Sequence, residues 1–246
     1  MKTIITAGLL ALCITLAAQS TFAETAAEIV KRMDMLMNPD CAAVFVLEFR
    51  EKGKLTEDYK MIVKAKDNNQ KVIVRFVSPA RQVGNDLIML DRNVWSYDKK
   101  SGRIIKIPSN QAFGATDFSY GDVVRLNMTD NYRGEIVKED GKTLTLKLSA
   151  IERDTPYAAI EVIVDKQGSY PLEVKCYAKN DKLIKTIRYA DVKQINGRTK
   201  PTKLTVISVY EPDNTSVMKL LQETPKQYPD HIFNKRVLET RQDENL

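Results

Sequence analysis

NVWSYDKKSGRIIKIPSNQAFGATDFSYGDVVRLNM, residues 93–128, is the stretch whose reading decides the architecture. It opens as a hairpin. Residues 94–97 form a short aromatic strand, 98–102 are polar turn material, and 103–107 form a second strand. Pro108 ends the ladder, because proline has no N–H to donate. The chain then becomes too apolar for a connection that merely crosses solvent. Phe113, Phe118, Tyr120, Val123, Val124, Leu126 and Met128 are strung around Gly114 and Gly121. An insertion of that composition must cover another apolar surface.

Working outward from it, the pattern is period two on both sides. On the N-terminal side, 41–50, 56–66, 71–77 and 86–90 read as strands, with Ala43, Phe45, Leu47 and Phe49 sharing one face of the first. In the second, Tyr59, Met61, Val63 and Ala65 alternate with lysines. On the C-terminal side the strands are 132–138, 142–151, 158–164, 172–178, 183–192, 201–210 and 216–221. Turn residues separate them, Asn196-Gly197 being the strongest hairpin signal. Residues 25–37 read as an amphipathic helix with a stripe of Ile29, Met33, Leu36 and Met37, stopped by Asn38-Pro39. The tail after Pro225 is polar, with a short helix expected over 229–238.

Short connections make antiparallel neighbours. Alternation predicts one wet face and one dry face. A sheet of this many strands must curl or split, and one helix plus one insertion could not cover it flat. The expected fold is mainly β with few helices: a strongly curved, barrel-like antiparallel sheet, closed by the N-terminal helix and the insertion. No linker divides it, so 24–246 is expected to be a single domain.

The first residues read as a cleaved secretory signal. Lys2 precedes an apolar run, 4–18, and Thr21-Phe22-Ala23 suits cleavage after Ala23. The run is short for a membrane span. Cys13 follows Leu12 inside it, which argues against lipidation. The expected address is the periplasm. Lys and Arg number 38 against 32 acidic residues, a net +6, but the bases are scattered along strands, which excludes a nucleic-acid partner. Cys41 and Cys176 could pair after export or stay as separate buried thiols.

The side chains offer little chemistry. His231 is the one histidine and sits in the polar tail, which excludes His-dependent triads and multi-histidine metal sites. Asp117 and Asp122 flank Phe118-Ser119-Tyr120. An acid–base pair is conceivable there, but capping of a short helix by Asp117 or Ser119, with Asp122 in its first turn, is the stronger reading. Arg81 could bond backbone carbonyls and pin a lid, or simply face solvent. Arg103 could meet an anionic headgroup or cap a strand edge. What remains is apolar surface. Phe45, Leu47, Phe49, Tyr59, Met61, Trp95 and Tyr97 are either ordinary core or the wall of a cavity that takes acyl chains.

Residues 76–90 (FVSPARQVGNDLIML), 94–108 (VWSYDKKSGRIIKIP) and 113–123 (FGATDFSYGDV) together resemble the LolA-like outer-membrane lipoprotein-sorting protein family. The similarity extends more loosely over most of the chain after the signal. The resemblance implies a half-open β-barrel closed by helices, a hydrophobic cavity for lipid or lipoprotein acyl chains, no cofactor and no catalysis. By position it places Trp95, Tyr97, Phe113, Phe118 and Tyr120 in the family's aromatic strand and lid, with Arg81 near a lid arginine. The chain is longer than a typical LolA and sits closer to the broad LolA-like branch, some of which serves lipid traffic beside large resistance-nodulation-division (RND/MMPL) type transporters. The expected function is a monomeric carrier or chaperone exchanging acyl chains between an inner-membrane transporter and an outer-membrane acceptor. The rivals are an adaptor module of such a transporter that carries nothing, and a lipid hydrolase dependent on Asp117.

Overall fold

The structure is a computed structural model that describes residues 24–243. The expected signal segment, 1–23, lies outside the described residues. A helix, α1 (Ala26–Met37), precedes a run of strands: β1 (Cys41–Glu51), β2 (Lys54–Lys66), β3 (Lys71–Ser78), β4 (Leu87–Leu90), β5 (Asn93–Asp98) and β6 (Arg103–Ile107). The insertion follows, carrying the short helix α2 (Tyr120–Val123). Then come β7 (Tyr132–Glu139), β8 (Thr143–Ala150), β9 (Ala159–Asp165), β10 (Pro171–Tyr177), β11 (Leu183–Ile195), β12 (Arg198–Ser208) and β13 (Thr215–Pro225). A 3-10 turn (Asp230–Ile232) and α3 (Val237–Thr240) end the described chain.

All thirteen strands form one antiparallel sheet in the order β6-β5-β4-β3-β2-β1-β13-β12-β11-β10-β9-β8-β7. Two meanders are therefore joined where β1 pairs with β13, Phe45 opposite Leu220 and Leu47 opposite Met218. The two free edges, β6 and β7, are the strands that flank the insertion. The insertion thus runs from one edge of the sheet to the other, across its open side.

The sheet bends around α1. That helix contacts both β7 and β12, which lie five strands apart. Strands are spaced about 4.8 Å, so a flat sheet would hold those two roughly 24 Å apart, more than the ~18 Å length of this 12-residue helix. Thr25 and Glu28 start α1 with a reciprocal capping box. Its buried stripe is Ala26, Ile29, Val30, Met33, Asp34 and Met37. Leu36, expected in the stripe, is only half-buried. The buried carboxylate of Asp34 was not expected at all.

The concave face holds one continuous core, drawn from α1, the insertion and strands of both meanders. Inner-facing residues alternate as expected, most regularly in β1 and β9. The convex face departs from expectation. Over β3, β4 and β5 it is buried by the C-terminal tail. Tyr228, Ile232, Phe233, Val237 and Leu238 pack on Ile73 and Ile88, with Trp95, Tyr97 and Ile104 against them. The tail is a strap, not a solvated appendage. Beneath it Arg75, only 4% exposed, bonds Asp86 at 2.8 Å and also pairs with Asp243. Lys64 reaches Asp243 at 3.2 Å, and Arg241 reaches Asp86 at 2.9 Å.

Candidate functional site

Between α1, the insertion and the C-terminal half of the sheet lies a cavity of ≈ 100 Å³. The sheet contributes Ile160 from β9, Val174 and Cys176 from β10, Ile187 and Tyr189 from β11, and Leu204 from β12. These are inner-facing positions, brought together by the period-two pattern of neighbouring strands. α1 adds Met33 and Met37, and the insertion adds Phe118, Leu126 and Met128. Tyr132 and Tyr157 complete the wall.

Most residues expected to form a cavity wall are instead packed against one another. Phe113 stacks on Phe76 at 5.5 Å and meets Tyr59 at 5.1 Å and Tyr120 at 5.3 Å, both edge-on. Phe45, Leu47 and Met61 belong to the same core, and Tyr120 lies against it. Phe49 is buried outside that central cluster. Of the ten expected residues, Phe118 alone borders the cavity. Trp95 and Tyr97 are corrected outright, because they lie on the other side of the sheet. In the register Trp95 opposes Ile88, which opposes Ile73, and that row faces the tail. Val94 is the residue of β5 that joins the inner core.

The two arginines are also placed. Arg81 is exposed and bonds Glu57 at 3.0 Å, lying 5.8 Å from the ring of Tyr59. It makes an ion pair at the rim where a bond to lid carbonyls was considered. Glu57 in turn accepts the Tyr59 hydroxyl. Beside them Gly114 turns the insertion at φ +60°, and a Cβ there would stand 3.0 Å from that hydroxyl. Arg103 is exposed at the start of β6, away from the cavity lining.

Polar ties run along the insertion, three of them built on the carboxylates of Asp34, Asp122 and Asp117. At its C-terminal end, Oδ2 of Asp34 accepts from Met128 N at 2.8 Å and from Thr129 N and Oγ1, each at 2.6 Å. Burial outweighs those bonds and raises the Asp34 carboxyl to about 6. In the middle, Ser119 caps α2 and Asp122 completes the box. Asp122 also accepts from Lys185 at 2.7 Å and from the Tyr157 hydroxyl at 2.7 Å. Burial works to raise Asp122, but the Lys185 charge prevails and holds it below the ordinary carboxylate value. Tyr157 is pushed up by burial and by the Asp122 charge. Towards the N-terminal end, Ser216 Oγ accepts from Asp117 N at 2.8 Å and donates to Asp117 Oδ2 at 2.9 Å. Both carboxylates once considered for acid–base work are thus fasteners of the insertion.

The cavity is small. An apolar void of about 150 Å³ holds benzene, and small-molecule pockets run from about 300 Å³. An acyl chain enters only if the insertion shifts. Two more open hollows, of ≈ 480 and ≈ 410 Å³, lie side by side near residues 110–119 and share Asn110, Pro156 and Ile184. They are much more polar and more open than the cavity, although the first shares Phe118, Pro156 and Tyr157 with it, so the cavity is the better site for an acyl chain.

No curated protein matches the sequence. A family model described as "Uncharacterized protein" matches residues 68–240, more than half of the chain. Among solved structures, the chain is similar to a LolA superfamily protein from Nitrosomonas europaea, with a TM-score of 0.78 and 23% identity over 86% of this chain and 98% of that one. An outer membrane lipoprotein-sorting protein domain from Vibrio parahaemolyticus gives 0.74 and 19% identity, over 87% and 97% of the two chains. A DUF1329 family protein from Desulfovibrio piger gives 0.72 and 19%, over 86% and 97%. These likenesses establish the fold.

Proposed function

We propose that this chain, which belongs to the uncharacterized protein family matched over 68–240 and has the fold of LolA-superfamily proteins, is a periplasmic carrier of acyl chains. The observation that carries the proposal is the cavity itself. It is mostly apolar, it sits on the open side of the sheet, and one of its walls is an insertion held by side-chain packing and polar ties rather than by strand pairing. Displacing that wall joins the cavity to the surrounding apolar face without breaking the sheet. Each methylene then buried contributes about 0.8 kcal/mol, so one long chain binds without polar chemistry. Release requires a partner that competes for the insertion or opens it, which fits exchange between an inner-membrane transporter and an outer-membrane acceptor.

The test is native mass spectrometry and lipid extraction of protein purified from its own periplasm. Co-purifying acyl lipid is the expected result. A protein that is always empty, and that takes up no lipid from vesicles, would sink the proposal.

The adaptor reading has one observation in its favour: the interior is nearly full of its own side chains. In-cell cross-linking separates the two. An adaptor traps its transporter even when Phe118 is replaced by a charged residue, whereas a carrier changed that way loses its lipid.

A further inference from the structure

The cavity wall carries one cation with no acid to neutralise it. Arg125 follows α2 and lines the cavity. Its guanidinium donates to the Met37 carbonyl at 2.6 Å and lies 5.3 Å from the Phe45 ring. No carboxylate stands within ion-pair distance of it among the described residues. Arg125 is half-buried, whereas the fully buried bases among the described residues are all matched: Lys185 by Asp122, Arg75 by Asp86 and Asp243, Lys64 by Asp243, and Lys200 by Glu223.

The neighbourhood adds to the imbalance. Arg198 and the fully buried Lys200 share the single carboxylate of Glu223, with Arg198 at 3.8 Å and Lys200 at 2.6 Å. Arg125 acts electrostatically on Lys200, so the three cations form one group. Asp34 and Asp122 also border the cavity, but three donors from Met128 and Thr129 already occupy Oδ2 of Asp34, and Lys185 neutralises Asp122. Arg125 is also held at φ +56°, a conformation that favours glycine or asparagine over a residue with a long side chain. Backbone kept in such a region at a cavity wall points to a use for the side chain it presents.

We propose that Arg125 is the headgroup contact of this cavity, and that the ligand is an acyl chain bearing a single anionic head, a carboxylate or a phosphate. The neutral diacylglyceryl end of a lipoprotein lacks that group. A half-buried guanidinium without an acid partner keeps donors free for an arriving anion, and its planar donors suit either oxyanion. This assignment rests on the carrier reading and names the class of its cargo.

Isothermal titration of the full mature protein with palmitate, 1-palmitoyl lysophosphatidate and monopalmitin tests it, since the three share one chain and differ in the head. At least one anionic ligand should bind roughly tenfold or more tightly than monopalmitin, and the stronger of the two identifies carboxylate or phosphate. Arg125→Met should bring the ratio of anionic to monopalmitin affinity close to one, while Arg125→Lys should keep part of the preference. Because Arg125 also holds the end of α1, thermal melts must accompany the variants. If Arg125→Met does not fold, the wild-type ratio and Arg125→Lys decide. Equal affinity for charged and neutral heads, or a preference that survives in Arg125→Met, overturns the assignment and leaves the carrier reading intact. Binding of none of the three overturns both.

Discussion

Asp34 on α1 and Thr129 at the end of the insertion are bonded twice, backbone N and side-chain Oγ1 both donating to one carboxylate oxygen at 2.6 Å. They are far apart in sequence, and their contact fastens the helix inside the sheet to the segment that crosses its open side.

The Asp34 fastening is pH-sensitive. Its carboxyl is raised from 3.8 to about 6 in the folded protein, chiefly by burial. The folded state therefore binds the proton more tightly than the unfolded chain. Asp34 contributes least to stability above about pH 6, and its contribution grows as pH falls towards 4. Replacing it by Asn removes that dependence. Urea titrations of wild type and Asp34→Asn should show wild type gaining on the variant, on the order of 2 kcal/mol, between pH 7 and pH 4. Parallel pH profiles for the two proteins would contradict the assignment.

The Lys185–Asp122 pair has the opposite sign. Asp122 is held below its ordinary value, so its stabilisation is present above the unfolded carboxyl pKa and fades as pH falls through the folded one. Lys185→Met leaves a buried carboxylate among Ser119 and Tyr157 without its cation. The expected loss at neutral pH is about 3 kcal/mol, and the double variant Lys185→Met/Asp122→Asn should recover much of it. A single-variant loss under about 1 kcal/mol would place the pair outside the energetics of closure.

The C-terminal strap should report through Trp95, the single tryptophan. Lys235 of the strap lies 5.2 Å from its ring. Deleting 226–246 uncovers Ile73, Ile88 and Trp95, so emission should shift to the red and the protein should aggregate more readily. Lipid added to the intact protein should leave the emission unchanged, because Trp95 is on the far side of the sheet from the cavity. A lipid-dependent shift would return Trp95 to the cavity wall. Arg75→Ala should destabilise by about 3 kcal/mol in equilibrium melts, since it removes the most buried cation between Asp86 and Asp243 and leaves them only Arg241 and Lys64.

Both described cysteines are free and buried, on β1 and β10. Burial pushes Cys41 up to about 11 and Cys176 well above its ordinary value. Ellman's reagent should label neither at pH 8 in native protein. In denaturant it should label two thiols if the segment holding Cys13 has been removed, and three if it remains. Loss of both thiols in denatured, unreduced protein would reveal a disulfide that this fold does not contain.

Much of the strand framework was legible because period-two alternation is a local signal that neighbouring residues carry themselves. So was α1, from its spacing and caps, and so was the covering role of the insertion, from an apolar content that solvent would not support. The two-sided burial at β3 and β4 also left a trace. Residues 72–74 and the LIML run at 87–90 are continuous apolar stretches, as strands dry on both faces tend to be. Read as one-sided strands, they hid the need for the strap.

Tertiary structure decided which faces meet. Alternation says that Val94 and Trp95 point to opposite sides, but not which side is enclosed, and the strap encloses both. The choice of Phe118 over Phe113 as cavity lining, and the gathering of Tyr132, Tyr157, Cys176, Tyr189 and Leu204 around it, depend on how tightly the sheet curls. So do the charges. Asp34, Asp122, Lys185 and Arg125 look like ordinary surface residues in the chain. They become fasteners, or an unpaired cation, only when thirteen strands bend far enough to bury them against partners distant in sequence. The composition of residues 93–128 required a surface to cover; the curvature of the sheet supplied that surface and left a small cavity beneath the insertion.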